Sequence, residues 1–225
     1  MPTAQPTKRD QIVDELRRMI LTGALSRGEK LPQDDLARRF HASITPVREA
    51  MRLLEAEGLL VAEPHRGVRV AGVDLERVKG SYVVRRLAES YAMKRAVDRM
   101  APRDIAAAEN LIVRMRDHAV QGDSVSVREL NRQFHFYFYE RCGLPALCDE
   151  IAAMWRSFPW DLMLSTKARL EESQREHQAI VDAVRAGDHE QAAALTEVHI
   201  RNGYLAIAGH IAGESAADPF DLHVD

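Results

Sequence analysis

Cysteine is nearly absent from this chain: Cys142 and Cys148 are the only two in 225 residues. Two thiols cannot build a disulfide framework, and their isolation argues against a structural zinc site; both read as small buried hydrophobes. Aromatic residues are scarce, at 6%. No uncharged apolar run approaches the roughly 18 residues that a membrane-spanning helix needs. The opening stretch, MPTAQPTKRD, lacks the apolar core of a secretion signal. These absences point to a cytoplasmic protein with no membrane partner.

Hydrophobic residues make up 46% of the chain and charged residues 29%, which suits a folded, helix-rich protein and excludes disorder. The net charge of −3 is unevenly divided. Residues 1–73 hold 12 Lys/Arg against 10 Asp/Glu, whereas residues 74–225 hold 19 against 24. A surplus of two cations is too small to imply nucleic acid, so the placement of the charges has to carry that argument.

Residues 10–22 place Ile12, Val13, Leu16, Met19 and Ile20 on one helical face, and Gly23 ends the pattern. A turn leads to a short helix over 33–40, with Leu36, Ala37 and Phe40 inward. Ser43 or Thr45 can cap a third helix over 43–57, Pro46 suits its first turn, and Gly58 closes it. The segments LLVAEP and VRVAG, joined by His65-Arg66-Gly67, read as two short strands and a tight turn. Three helices followed by a hairpin make a winged helix-turn-helix. From Asp74 the spacing is helical throughout, and six helices are predicted: 74–99, 103–121, 124–141, 145–165, 167–186 and 188–213, with room for a seventh near 157–168. The fold class is therefore mostly α, an N-terminal winged helix-turn-helix (1–73) joined to a C-terminal bundle of six or seven helices (74–225). The last residues, GESAADPFDLHVD, read as a frayed polar tail.

A helix fits the DNA major groove and reads base edges with its N-terminal residues. The helix over 43–57 turns Ser43, Thr45, Arg48 and Arg52 away from its apolar face. Arg48 suits a bidentate contact to guanine, and Thr45 a phosphate or base contact. Arg38 and Arg39 can reach phosphates, and the turn His65-Arg66-Gly67 sets a cation beside a glycine that permits close backbone approach. The runs TPVREA (45–50), EGLL (57–60) and RGVRV (66–70) give residues 9–71 a specific resemblance to the DNA-binding domain of the GntR family of bacterial transcription regulators. Members of that family usually carry an arginine where this chain has Ile44, and many carry another near Asp34. The resemblance thus implies DNA binding with an altered operator preference, in which Arg48 and Arg66 take a larger share.

In the second part, Asn131 and His135 stand at i, i+4 and share a helix face. His177 lies 10 residues before Gly187 and His199 lies 12 after it. An antiparallel hairpin about Gly187 would set those two rings nearly level, at about 15 and 18 Å from the turn. Helix rotation, which spacing does not fix, decides whether they meet. One amide oxygen and three imidazoles would suit a divalent ion, with zinc, nickel and manganese indistinguishable. The segments RRLAES (85–90), NRQFHFYFY (131–139), REHQAIVDAVRAGD (175–188) and AALTEVHI (193–200) resemble the helical ligand-binding domain of the FadR-type branch, the FCD domain. That resemblance implies a metal held by Asn131, His135, His177 and His199, the first replacing the commoner aspartate. It further implies an organic-acid effector on the metal, with Arg85 facing its carboxylate.

The expectation is a non-enzymatic regulator, more often a repressor in this family, that binds a palindromic double-stranded DNA operator as a homodimer and responds to a small carboxylate. Two alternatives remain: a regulator whose helical domain only dimerises, and a metal-dependent hydrolase. The second lacks an acid at obvious spacing, since Glu176 adjoins His177 but faces another side of its helix.

Overall fold

The computed structural model describes residues 6–63, 67–163, 167–212 and 217–221. The chain forms two compact units, Met1–Val73 and Asp74–Asp225. Among the described residues, no helix is long and apolar enough to cross a membrane.

The first unit comprises α1 (Lys8–Leu21), α2 (Gln33–Arg39), α3 (Ile44–Ala56) and a hairpin of β1 (Leu60–Glu63) and β2 (Gly67–Val70). Helix α1 starts in a capping box, with Thr7 and Asp10 bonding each other's backbone N–H groups. Its face Ile12, Val13, Leu16, Met19 and Ile20 packs with Val47, Ala50, Met51 and Leu54 of α3 into one core. At the edge of that core Arg17 donates twice to Glu57, at 2.7 and 3.1 Å, and ties α1 to the end of α3. The strands pair antiparallel from Leu60↔Val70 to Glu63↔Gly67. The hairpin is anchored on its other edge, where Leu31 donates its N–H to Val68 at 2.9 Å and Gly28 donates to Val70 at 2.9 Å.

The second unit is entirely helical among its described residues: α4 (Leu75–Ala96) with a 3-10 turn (Val97–Arg99), α5 (Pro102–Val120), α6 (Ser124–Tyr139), α7 (Pro145–Ser157), α8 (Trp160–Met163), α9 (Lys167–Arg185) and α10 (His189–Ala212). Asp74 caps α4 through the N–H groups of Glu76 and Arg77. The single helix predicted over 145–165 is two: Pro159 cannot donate a backbone hydrogen bond, the chain turns extended at Phe158, and α8 occupies the place of the possible seventh helix. Gly187 takes φ +70°, the left-handed conformation that lets α9 stop and α10 start, and Asp188 accepts from the N–H of Gln191. Helix α10 packs along α4 and α9, and α5 packs on α6 and α9.

The tail differs from its expected frayed state. Residues 217–221 dock on α4, because Asp218 is buried and accepts from Tyr82 Oη at 2.8 Å and from Arg86 Nη1 at 3.0 Å. Phe220 adds an edge contact to the Tyr82 ring, 5.9 Å between centroids.

Candidate functional site

In the first unit the apolar positions of α3 are consumed by the core, which fixes what the helix shows to solvent. Ser43, Thr45, Arg48 and Arg52 are all exposed, as are Arg38 and Arg39 on α2. Ser43 stands at the N-cap position, though its side chain makes no cap hydrogen bond, so its hydroxyl is available to an outside partner. Arg48 Nε approaches Gln33 Oε1 at 3.4 Å, a weak contact that leaves most of the guanidinium outward. Arg38 pairs with Asp35. Ile44 packs against the core instead of presenting a side chain outward. Gly67, the first residue of β2, is exposed with φ +86°. His65 and Arg66 lie outside the described residues.

In the second unit three helices bring three imidazoles together. His135 on α6, His177 on α9 and His199 on α10 are all buried, and one ring nitrogen from each lies within 4.8 Å of the other two. The Nε2 atoms of His135 and His177 are 3.3 Å apart. Two nitrogens bound to one tetrahedral zinc at about 2.05 Å would stand about 3.3 Å apart, so this pair already has the spacing of ligands on a common ion. Burial, the other imidazoles and nearby arginines, Arg85 for His135 and Arg169 for His177, hold the pKa values of both rings well below the usual histidine range. Both rings are thus neutral, the form that donates a lone pair to a cation.

Two further observations test whether a metal suits this cluster. Nδ1 of His177 is buried with no hydrogen-bond partner. Nδ1 of His199 meets Glu176 Oε2 at 2.7 Å, which turns Nε2 of that ring toward the cluster and raises its basicity. Burial would raise the Glu176 pKa, but His199, Arg169 and Asn202 outweigh it and hold the carboxyl down to about 2. His135 is oriented in the same way through Nδ1, 3.3 Å from Tyr139 Oη, whose own proton goes to Glu89 at 2.8 Å. Neutral imidazoles at His135 and His177, together with a His199 ring oriented from behind by Glu176, form a donor set that fits a borderline divalent ion. Asn131, one turn before His135 on α6, is 2% exposed.

Arg85 is buried rather than open. It donates from Nε to Glu89 Oε1 at 2.6 Å and from Nη2 to Oε2 at 3.4 Å. The rings of Phe158, Trp160 and Trp155 surround its guanidinium carbon at 4.2, 4.8 and 5.1 Å. Trp155 also donates to Glu89 at 2.9 Å, so both tryptophans belong to the arginine's enclosure.

Glu176 and Glu89 are the residues that sequence reasoning missed. Glu176 does face away from His177 on its own helix, but that direction leads to His199 on α10.

Residues 8–70 match the family described as bacterial regulatory proteins of the gntR family, and residues 81–202 match the FCD domain. The chain belongs to the GntR family, with an FCD domain as its second unit. It is 30% identical over 145 residues to the HTH-type transcriptional regulator McbR of Escherichia coli K12, a match covering 64% of this chain and 66% of that protein. A match to the HTH-type regulator YdhC of Bacillus subtilis covers 56% of each chain at 29% identity. The HTH-type transcriptional repressor GlaR of Escherichia coli K12 is 26% identical over 88% of this chain and 94% of its own length. Among solved structures, McbR superimposes with a TM-score of 0.78 at 25% identity, over 91% of this chain and 99% of that one. These relatives are all transcription regulators by name, which agrees with the expected lack of enzymatic activity.

Proposed function

We propose that this GntR-family chain is a repressor that binds a palindromic operator as a homodimer and is released by a small carboxylate held at a metal in its FCD domain. The observation that carries the sensing half is the convergence of His135, His177 and His199, with ring nitrogens within 4.8 Å, in the interior of a helical unit. Isolated buried histidines have no reason to share a point; three, backed by Glu176 and Tyr139, do.

The ion would be held by His135, His177 and His199, with Asn131 as a fourth donor from the same face of α6. Bound there, it would supply an electrophilic seat for a carboxylate oxygen. Asn131 gives an oxygen without a charge, so the site stays more cationic than one with aspartate and favours an anionic effector. Arg85 is the second anchor. Glu89 already uses its Nε and Nη2, so an effector carboxylate meets Nη1 and has to displace part of the Phe158–Trp160 cover.

In the first unit Arg48 and Thr45 read bases from α3, while Ser43, Arg38, Arg39 and the hairpin turn at His65, Arg66 and Gly67 hold the backbone. One such head covers one half-site, and two-fold symmetry matched to a palindrome multiplies specificity. Effector binding shifts the population toward an arrangement that spaces the two recognition helices wrongly, through reciprocal coupling of the two sites.

The test is fluorescence anisotropy on an operator selected from random double-stranded DNA. Metal-loaded protein should bind it far more tightly than random sequence, and a screen of small carboxylates should find one that raises the dissociation constant at least fivefold. Binding indifferent to sequence, or no carboxylate response with metal bound, would contradict the proposal.

A further inference from the structure

Glu89 is buried on α4, and four donor groups converge on its carboxylate. Arg85 Nε and Trp155 Nε1 share Oε1, at 2.6 and 2.9 Å. Tyr139 Oη donates to Oε2 at 2.8 Å, with Arg85 Nη2 farther off at 3.4 Å. A buried carboxylate is costly unless it is paired and hydrogen-bonded, and this one is satisfied on both oxygens.

The Tyr139 hydroxyl also joins this group to the histidine cluster, because His135 Nδ1 stands 3.3 Å from the same Oη. All the partners of Glu89 are donors, so its carboxylate only accepts and the phenol proton is directed to it. The bond to His135 therefore runs from Nδ1–H to the phenol oxygen, which leaves the ring's lone pair on Nε2, the atom that faces His177. Among the described residues the other two imidazoles give no such route. His177 Nδ1 has no hydrogen-bond partner, and His199 leads through Glu176 to Arg169 and Asn202.

We propose that Tyr139 and Glu89 are positioning residues that couple the histidine cluster to Arg85, so that ligation of His135 loosens the hold of Glu89 on the arginine and readies it for a carboxylate. This deepens the metal-dependent reading above and rests on it. When Nε2 of His135 is ligated, the ring loses electron density and Nδ1–H becomes a stronger donor. A phenol oxygen that accepts a stronger bond donates a stronger one in turn, by about 10–30% per bond. Oε2 of Glu89 is drawn toward Tyr139, and Oε1 holds Arg85 and Trp155 less tightly. The site is buried, so water does not screen these changes. Metal and carboxylate then bind with positive cooperativity through this chain of bonds.

Trp155 shares Oε1 with Arg85 and so reports the grip of Glu89, and the chain has only one other tryptophan. Trp160 donates instead to the backbone carbonyl of Trp155 at 2.8 Å, which makes it an internal control. The experiment follows both indole N–H signals by NMR as zinc is added to the full, chelator-stripped chain carrying isotope-labelled tryptophan. In the wild type the Trp155 signal is expected to move upfield up to zinc saturation, and the Trp160 signal far less. Tyr139→Phe keeps the ring and removes the hydroxyl, and circular dichroism checks its folding. It is expected to bind zinc about tenfold more weakly and, once saturated, to show no movement of the Trp155 signal. The rings of His135 and Trp155 also touch directly, 5.3 Å between centroids. A Trp155 signal that moves equally in zinc-loaded Tyr139→Phe, or that stays in place in zinc-loaded wild type, would overturn the coupling and leave the metal site standing. Uptake of none of zinc, nickel and manganese by the wild type would overturn both.

Discussion

Glu176 Oε2 lies 2.7 Å from Nδ1 of His199, across the gap between two consecutive antiparallel helices. The same carboxylate accepts from Asn202 Nδ2 at 2.6 Å and from Arg169 Nη2 at 3.0 Å. Three donors fix its position, and through it the orientation of the His199 ring. A carboxylate behind an imidazole fixes the tautomer and makes the distal nitrogen the ligand atom.

Replacing Glu176 by glutamine keeps the volume and a hydrogen bond but removes the charge. Metal affinity should fall about 10- to 100-fold, as measured by competition with a chelating dye. His135 and His177 would still bind, so the loss is partial. An unchanged affinity would show that His199 needs no support from Glu176.

The pair His177→Ala and His199→Ala should abolish metal uptake and the response to effector while leaving operator binding in place. Metal should raise the melting temperature of the wild type, since a ligand at about 100 times its dissociation constant stabilises the fold by about 2.7 kcal/mol. It should not raise that of the double variant. An effector response that survived in the double variant would reject the histidine cluster as the sensing site.

The helices of both units could be read from spacing and breaks. Gly23, Gly58, Gly122, Gly143 and Gly187 end helical patterns in the sequence, and each takes a positive φ in the structure. The core of α1 and α3 follows from the same periodicity, because its apolar positions have no other place to go. The convergence of the histidines was only partly legible. Spacing about Gly187 levelled His177 with His199, but helix rotation set by packing decided that they meet. The enclosure of Arg85 was not legible at all: it depends on Pro159 breaking the helix so that Phe158 and Trp160 fold back over the guanidinium. Nor could spacing find Glu176 as the partner of His199, because an i, i−1 neighbour of His177 points elsewhere on α9 and reaches a different element.

Asn131→Asp restores a negative charge next to His135. If Asn131 is a ligand, divalent metal affinity should rise roughly tenfold or more, because a carboxylate adds Coulomb attraction to a donor already in place. Titration of the stripped variant beside the wild type measures it. Equal affinities would remove Asn131 from the ligand set.

Arg48→Ala should weaken binding to the selected operator more than tenfold, in the range of about 1–3 kcal/mol for one bidentate base contact, with a much smaller loss on random DNA. Anisotropy on both duplexes at one fixed salt concentration makes the comparison. Equal losses on the two would show that Arg48 touches only phosphate.

Isothermal titration of chelator-stripped protein with zinc, nickel and manganese bears most directly on the three converging imidazoles. One site per chain is predicted for at least one of these ions, absent in His135→Ala, whose removal takes away the ring in contact with His177. No uptake by the wild type, or an uptake that His135→Ala leaves unchanged, would contradict it.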